Sequence, residues 1–178
     1  MNLHFDHYYT HAPLLAKCVA NTAGPILELG TGVYSTSLLD CLAGTRTVVS
    51  TDSNLDFLSE LKTQFESPTH KFVHIDTDSA IKYNDLMDEF AEGLTEKQSI
   101  VFIDHGFIEE RRNDIVRFRD LADLIVVHDS SYTGNPGHDA QTYKYNPLIE
   151  QFKYKYEYTK LWPFTCVMSD TNNLEWIW

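Results

Sequence analysis

The segment Pro25–Asp40, PILELGTGVYSTSLLD, carries the strongest fold signal in the sequence. It joins a short apolar run, interrupted by Glu28, to two glycines at alternate positions, Gly30 and Gly32, and a helical pattern resumes near Ser35. The glycines allow a tight turn and a close approach of the backbone to a ligand, and the start of a helix offers free N–H groups to an anion. The segment therefore predicts a strand, a turn and a helix that together hold a nucleotide-like ligand.

Apolar runs of strand length recur after this segment and alternate with stretches that have helical spacing. The runs are 46–51, 71–75, 99–103 and 124–127, and the clearest helical stretches are 54–66 and 108–121. Nearly all-apolar strands that alternate with helices are typical of a parallel sheet covered on both faces. We therefore predict an α/β fold with a doubly wound, mostly parallel sheet.

The pattern changes after residue 130. Residues 131–145 are rich in glycine and polar residues, which predicts a long loop, and a mobile lid is one role for it. The segment 153–162, KYKYEYTKLW, then alternates with period two, and the apolar run 164–170, FTCVMSD, follows it. These features predict an antiparallel C-terminal hairpin, and 174–178 is expected to add a last short strand.

The length of 178 residues favours a single domain. Within it we predict an N-terminal helical segment (1–23), a cofactor-binding βα core (24–130), the loop (131–145) and a C-terminal helix and hairpin (146–178).

Composition narrows the classes of partner. There are 14 Lys and Arg against 26 Asp and Glu, a net charge of −12, which disfavours nucleic acid and an anionic membrane surface as partners. No stretch approaches the ~20 apolar residues of a membrane span, and no targeting segment is visible at the start. The three cysteines are far apart and form no Cys-x-x-Cys pair, which suits a reducing compartment. A soluble, cytoplasmic protein is expected.

Acidic residues follow every one of the five predicted parallel strands. In order they are Glu28, Asp52, Asp76 with Asp78, Asp104, and Asp129. Open α/β sheets bind ligands at the carboxyl ends of their strands, so these carboxylates are expected to surround one crevice. The alternative is that some of them only cap the helices that follow.

Two features distinguish between kinds of nucleotide. Asp52 lies 52 − 32 = 20 residues beyond Gly32, the spacing at which an acidic side chain reaches ribose hydroxyls. A dinucleotide fingerprint would place a third glycine at Ser35 and an apolar residue at Glu28. An acidic residue at Glu28 instead suits a ligand with a positively charged amino group.

These motifs resemble those of class I S-adenosylmethionine-dependent methyltransferases (EC 2.1.1). The similar features are ELGTG at 28–32, STDSN at 50–54, DTDSA at 76–80 and the terminal hairpin. The segments SIVFIDHGF and ADLIVVHDSS resemble the catechol O-methyltransferase-like branch and small uncharacterised bacterial relatives. The resemblance implies a Rossmann-like, seven-stranded sheet with an antiparallel final strand.

The resemblance also implies which residues bind S-adenosylmethionine. Gly30 and Gly32 would contact the amino acid part of the cofactor, and Asp78 or Ser79 would lie near the adenine. The full implied set is Glu28, Gly30, Thr31, Gly32, Ser35, Asp52, Ser53, Asp78, Ser79 and Asp104.

A metal site follows from the same resemblance. The positions that bind magnesium in catechol methyltransferases correspond here to Asp104, Asp129 and Ser130, which suggests Mg²⁺ or Ca²⁺. Ser130 replaces an asparagine, and Phe107 stands where those enzymes carry a catalytic lysine, so a catechol substrate and a lysine base are not implied.

Four residues at the rim are candidates for proton transfer: Asp104, His105, His128 and Asp129. Each histidine has the alternative role of orienting a neighbour.

Two other groups of residues, three histidines and two arginines, each have two possible roles. His4, His7 and His11 share one helical face, for which a surface or packing role is favoured over a metal site or flap. Arg111 and Arg112 suit either an anion grip or a solvated helix face, and i,i+3 pairing such as Arg111 with Asp114 favours the latter.

The combined prediction is a methyltransferase that acts on an oxygen of a small-molecule acceptor. The N-terminal segment, the loop 131–145 or a second subunit in a homodimer would close the site. The alternatives are a nucleotide-dependent oxidoreductase and a non-catalytic binding protein that retains the fold.

Overall fold

The computed structural model describes residues 7–130 and 145–177, and it contains one seven-stranded sheet with the order β3-β2-β1-β4-β5-β7-β6. The strands are β1 (Ile26–Leu29), β2 (Val48–Asp52), β3 (His70–His74), β4 (Gln98–Ile103), β5 (Ala122–His128), β6 (Tyr154–Tyr158) and β7 (Thr165–Ser169). Strands β1 to β5 pair in parallel, and β7 is antiparallel to both β5 and β6. The predicted α/β fold with its C-terminal hairpin is confirmed.

Helices cover both faces of the sheet. They are α1 (Ala12–Ala20), α2 (Val33–Ala43), α3 (Leu55–Phe65), α4 (Ala80–Glu92), α5 (Arg111–Arg117) and α6 (Asn146–Ile149). Short 3-10 turns occupy His7–Tyr9, Ile108–Glu110 and Glu175–Ile177.

The expected strand at 174–178 is wrong, because the described part of this segment forms the last of those turns. The Asn173 side chain accepts a hydrogen bond from the Glu175 N–H, and Ile177 N–H donates to the Leu174 carbonyl. Leu174 and Ile177 are buried in the same apolar cluster as α1. Local capping and this contact make the turn the stable conformation.

Two apolar layers explain why the central strands have few polar positions. One layer packs α4 and α5 against the sheet, and the other packs α1 and α2 against the opposite face. All residues of β1 and β4 are buried, as the apolar runs in the sequence predict for parallel strands.

Strand register places the strand ends side by side. Leu29 of β1 is level with Thr51 of β2 and with Ile103 of β4, and Ile103 is level with Val127 of β5. The residues that follow these strands therefore meet at one edge of the sheet, where open α/β folds bind ligands.

None of the helices within residues 7–130 and 145–177 is long and apolar enough to cross a lipid bilayer.

Candidate functional site

A cavity of about 760 Å³ lies at this carboxyl edge. It is bounded by the 3-10 turn before α1, the glycine turn after β1, the loops after β4 and β5, and the segment before β7. Its lining consists of His7, Tyr8, His11, Thr31, Gly32, Val33, Tyr34, Ser35, Phe57, Asp104, Gly106, Arg111, His128, Asp129, Trp162 and Pro163. The volume is within the ~300–1,000 Å³ that is typical of small-molecule sites.

The glycine turn needs Gly30 for two reasons. Its φ of +93° lies in a region that residues with a side chain rarely adopt. A Cβ atom at this position would also lie 2.5 Å from backbone atoms of Asp104 and His105. Gly30 therefore allows the first turn to pack directly against the loop after β4, which holds both walls of the cavity together.

Asp52 at the end of β2 fixes the same turn. Its Oδ2 accepts hydrogen bonds from the N–H and the hydroxyl of Thr31, both at 2.9 Å, and its Oδ1 accepts one from the N–H of Asn54. Thr31 and Gly32 line the cavity, whereas Gly30, Asp52 and Ser53 do not.

Glu28 lies beneath the cavity and is fully buried. Its Oε2 accepts hydrogen bonds from the hydroxyls of Thr36, at 2.9 Å, and Ser50. Burial raises the pKa of this carboxyl to about 7, and the surrounding hydroxyl groups oppose the shift. The sequence predicted that Glu28 contacts an amino group of the ligand. In the structure its side chain is not among those that line the cavity.

Arg111 is the largest departure from the sequence analysis, which favoured a solvated helix face. The residue is only 5 % exposed. Its Nη2 lies 3.0 Å from Asp104 Oδ1, its Nη1 lies 3.0 Å from Asp129 Oδ2, and its Nε donates to the His105 carbonyl. The guanidinium joins the two carboxylates that follow β4 and β5, so the solvated-face interpretation is wrong for Arg111.

His128 is the second close partner of Asp104. Its Nδ1 lies 3.1 Å from Asp104 Oδ2 and 3.6 Å from Asp129 Oδ1. Burial disfavours the charged form of each group, but their mutual attraction is stronger: it raises the pKa of His128 and, with Arg111, holds the pKa of Asp104 well below its usual range. Asp129 has a φ of 59°, a left-handed conformation that aspartate tolerates better than most residues.

His105, a candidate for proton transfer, does not line the cavity. Its Nε2 lies 2.7 Å from Asp114 Oδ2, and Tyr83 donates to the same oxygen at 3.0 Å. Arg117 pairs with the other oxygen of Asp114. This buried network anchors the loop after β4 to α4 and α5, which corresponds to the orienting role that was the alternative.

The residues proposed for an oxygen-ligand metal site do not fit Mg²⁺ or Ca²⁺. Arg111 already occupies the space between Asp104 and Asp129, and a guanidinium and a hard cation cannot both bind there. The Ser130 hydroxyl donates to Glu157 Oε1 at 2.9 Å and is fully buried. We therefore derive no catalytic step from a metal bound by Asp104, Asp129 and Ser130.

Of the other residues predicted to bind the cofactor, some line the cavity and some do not. Ser35 lines the cavity, whereas Asp78 and Ser79 are exposed after β3 and do not. All of the predicted loop except its last residue, Tyr145, lies outside the described residues.

The structure adds Thr10 to the site, and it places His11 there, for which the sequence favoured a surface or packing role over a metal site or flap. Thr10 and His11, at the start of α1, lie against His128: the Thr10 hydroxyl is 2.8 Å from His128 Nε2, and the rings of His11 and His128 have centroids 5.0 Å apart. Pro13 in the first turn marks the start of α1 and was the available signal that His11 begins a helix.

Large apolar side chains form the outer rim of the cavity. Tyr8, Val33, Tyr34 and Trp162 line it and remain exposed to solvent. This rim can contact an apolar part of a ligand that enters the cavity.

No protein-family model matches the sequence, and a search of curated proteins found no match. Similar solved structures do exist. The O-methyltransferase TomG from Streptomyces achromogenes, in complex with S-adenosylmethionine, is 17% identical with a TM-score of 0.66, and 89% of this chain covers 79% of TomG. An O-methyltransferase from Bacillus cereus in complex with S-adenosylhomocysteine is 17% identical (TM-score 0.65, 90% and 79% covered). A putative O-methyltransferase from Klebsiella pneumoniae is 18% identical (TM-score 0.64, 94% and 83% covered).

The fold of this chain is therefore the class I S-adenosylmethionine-dependent methyltransferase fold. The likeness spans nearly the whole chain and includes O-methyltransferases whose structures contain the cofactor or its product.

Proposed function

We propose that this protein is an S-adenosylmethionine-dependent methyltransferase that methylates an oxygen of a small-molecule acceptor. The observation that carries the proposal is the cavity itself, which has the glycine turn on one wall and the Asp104, His128 and Asp129 group on the other. A donor bound at the first wall would present its methyl group to an acceptor held at the second.

The cofactor would lie along the glycine turn. Gly32 is the N-cap of α2, and Thr31, Gly32 and Ser35 bring polar groups to the cavity surface. Asp52 holds Thr31 in place through two hydrogen bonds. Similar structures contain S-adenosylmethionine or S-adenosylhomocysteine, which supports this choice of ligand.

The acceptor would enter through the apolar rim, which suits a small molecule with an apolar part. Methyl transfer from a sulfonium depends mainly on alignment of the acceptor oxygen, with removal of its proton. Asp129 lines the cavity with its side chain 20 % exposed, so we assign it the role of proton acceptor. Asp104 and His128 would hold the local charges in place beside it.

Calorimetry with S-adenosylhomocysteine tests the cofactor assignment. We expect wild-type protein to bind one molecule per chain and Asp52→Asn to bind at least tenfold more weakly, because the mutated side chain holds the turn less tightly. Asp56→Asn, an exposed acid in the first turn of α3, is the matched control and should bind as wild type does.

Absence of binding in the folded wild-type protein would overturn the proposal and favour a protein that only retains the fold. Fluorescence titration with NADH addresses the oxidoreductase alternative. Once binding is shown, transfer of a labelled methyl group to a panel of hydroxylated small molecules tests the reaction, and Asp129→Asn should reduce kcat.

A further inference from the structure

His11 is a buried imidazole, 1 % exposed. Neither of its buried ring nitrogens has a hydrogen-bond partner among residues 7–130 and 145–177. The ring packs near those of Phe102 and His128, with both pairs of centroids 5.0 Å apart. A buried polar group left without a hydrogen bond destabilises the fold, so the burial of this ring is unfavourable unless its nitrogens bind a ligand.

Two other ligand atoms converge on the same point. His11, Asp104 and His128 each offer one ligand atom within 4.8 Å of the other two. Asp104 Oδ2 and His128 Nδ1 are 3.1 Å apart, a separation that adjacent ligands of one metal ion show when each metal–ligand bond is about 2.0–2.2 Å. One ring nitrogen of His11 lies within 4.8 Å of both atoms and would supply the third ligand.

Thr10 determines the tautomer of His128. The Thr10 hydroxyl donates its proton to the Pro163 carbonyl at 2.7 Å, so it accepts from His128 Nε2 at 2.8 Å. His128 Nε2 therefore carries a hydrogen, and Nδ1 faces the Asp104 carboxylate. Two lone pairs cannot face each other at 3.1 Å, so either a proton or a metal ion lies between them. A hydrogen bond from the second ring nitrogen is the usual support of a metal-binding histidine.

We propose that His11, Asp104 and His128 bind a divalent transition metal ion of the Zn²⁺ type at the wall of the cavity. Two imidazoles and one carboxylate suit Zn²⁺ or Fe²⁺, whereas Mg²⁺ and Ca²⁺ prefer oxygen ligands. This site differs from the oxygen-ligand site of Asp104, Asp129 and Ser130, because Arg111 binds the other oxygen of Asp104 and leaves Oδ2 available on the His128 side.

The local charges are compatible with the ion. Asp104, Asp129 and Arg111 sum to −1, and a divalent ion brings the total to +1. Transfer of the acceptor O–H proton to Asp129 would leave this total at +1, because the negative charge moves from the carboxylate to the acceptor oxygen. In that role, which rests on the proposed methyl transfer, the metal would stabilise the oxygen anion while the O–H proton passes to Asp129.

Metal binding is measured on the whole protein, stripped with EDTA and without cofactor, so that its outcome is separate from that of the cofactor titration. Calorimetry with Zn²⁺ and visible absorption with Co²⁺ as a spectroscopic probe should each show one ion per chain, whereas Mg²⁺ should not bind. We expect His11→Gln and Asp104→Asn to weaken Zn²⁺ binding at least tenfold. His74→Gln, whose ring contacts the Ser53 carbonyl, and Cys41→Ser, an exposed thiol, are controls that should bind as wild type does.

Nitrogen-detected NMR of the wild-type imidazoles gives a readout that needs no substitution. Zn²⁺ should shift Nδ1 of His128 and one nitrogen of His11, and leave His74 unchanged. The proposal is overturned if wild-type protein binds no Zn²⁺, if the two imidazoles do not respond, or if the His11→Gln and His74→Gln variants, both folded, bind Zn²⁺ equally.

Discussion

Replacing Arg111 with methionine removes the charge between two carboxylates while it keeps much of the side-chain volume. The guanidinium is buried and makes ion pairs of 3.0 Å with both Asp104 and Asp129. Breaking a buried ion pair by removing one partner costs about 3–5 kcal/mol, because the other charge stays buried and unpaired. The side chains of Asp104 and Asp129 are 22 % and 20 % exposed, so water relieves part of this cost. We expect the variant to lose about 3 kcal/mol of unfolding free energy.

Urea unfolding in the presence of EDTA, followed by tryptophan fluorescence, measures this loss without a contribution from bound metal. With a urea dependence of about 2 kcal/mol per molar for a chain of this size, the midpoint should fall by about 1.5 M. Arg112→Met is the matched control: the neighbouring residue is partly exposed, and its substitution should change the unfolding free energy by less than about 0.5 kcal/mol.

A double-mutant cycle with Asp129→Asn tests the cause. If Arg111 acts through the carboxylates, the double variant should be more stable than the sum of the single effects predicts, with a coupling of about 1–3 kcal/mol. Equal midpoints for Arg111→Met and Arg112→Met, or strict additivity in the cycle, would refute the bridging role.

Three further substitutions test the surroundings of the site by urea unfolding. Gly30→Ala should cost at least about 3 kcal/mol, because its Cβ overlaps the Asp104–His105 backbone and its φ is positive, whereas Gly106→Ala, with open space at Cβ, should be nearly neutral. The pKa of Glu28 is raised to about 7 from 4.5, so the stability of the wild type should fall as pH rises from 5 to 8, and Glu28→Gln should remove a difference of about 3 kcal/mol. Parallel pH profiles for wild type and Glu28→Gln would contradict this. Tyr83→Phe should cost about 1–2 kcal/mol through the lost hydrogen bond to Asp114, and an unchanged midpoint would show that the bond is unimportant.

The sheet could be predicted from the sequence because its central strands are buried on both faces. Such strands have few polar residues, so the run 99–103 falls within β4 and 124–127 falls within β5. The end of the chain lacks this constraint. The segment 174–178 is too short for periodicity to separate a strand from a turn, and the Asn173 cap decided the outcome.

The position of Arg111 relative to the apolar residues of its helix indicates that it is buried, whereas its i,i+3 spacing from Asp114 favoured an exposed position. Arg111 lies four residues before Ile115, so the two residues share one face of α5, and both are buried. The i,i+3 pair with Asp114 gave a plausible exposed alternative. In the structure Asp114 instead pairs with Arg117 and His105.

Strand order predicts which carboxylates meet, but it does not predict which cations reach them. Asp104 and Asp129 are neighbours because β4 and β5 pair in parallel with their ends level. Their partners come from α5 and from β5 itself, and the direction of those side chains depends on packing that no local pattern records. In a chain with a net charge of −12, a cluster of carboxylates requires buried cations, so a positive residue within an apolar stripe is a candidate site residue. Arg111 meets this criterion by its position in the sequence. Its guanidinium already pairs with Asp104, so the affinity of Asp104 for a metal ion has to be interpreted with that positive charge in place.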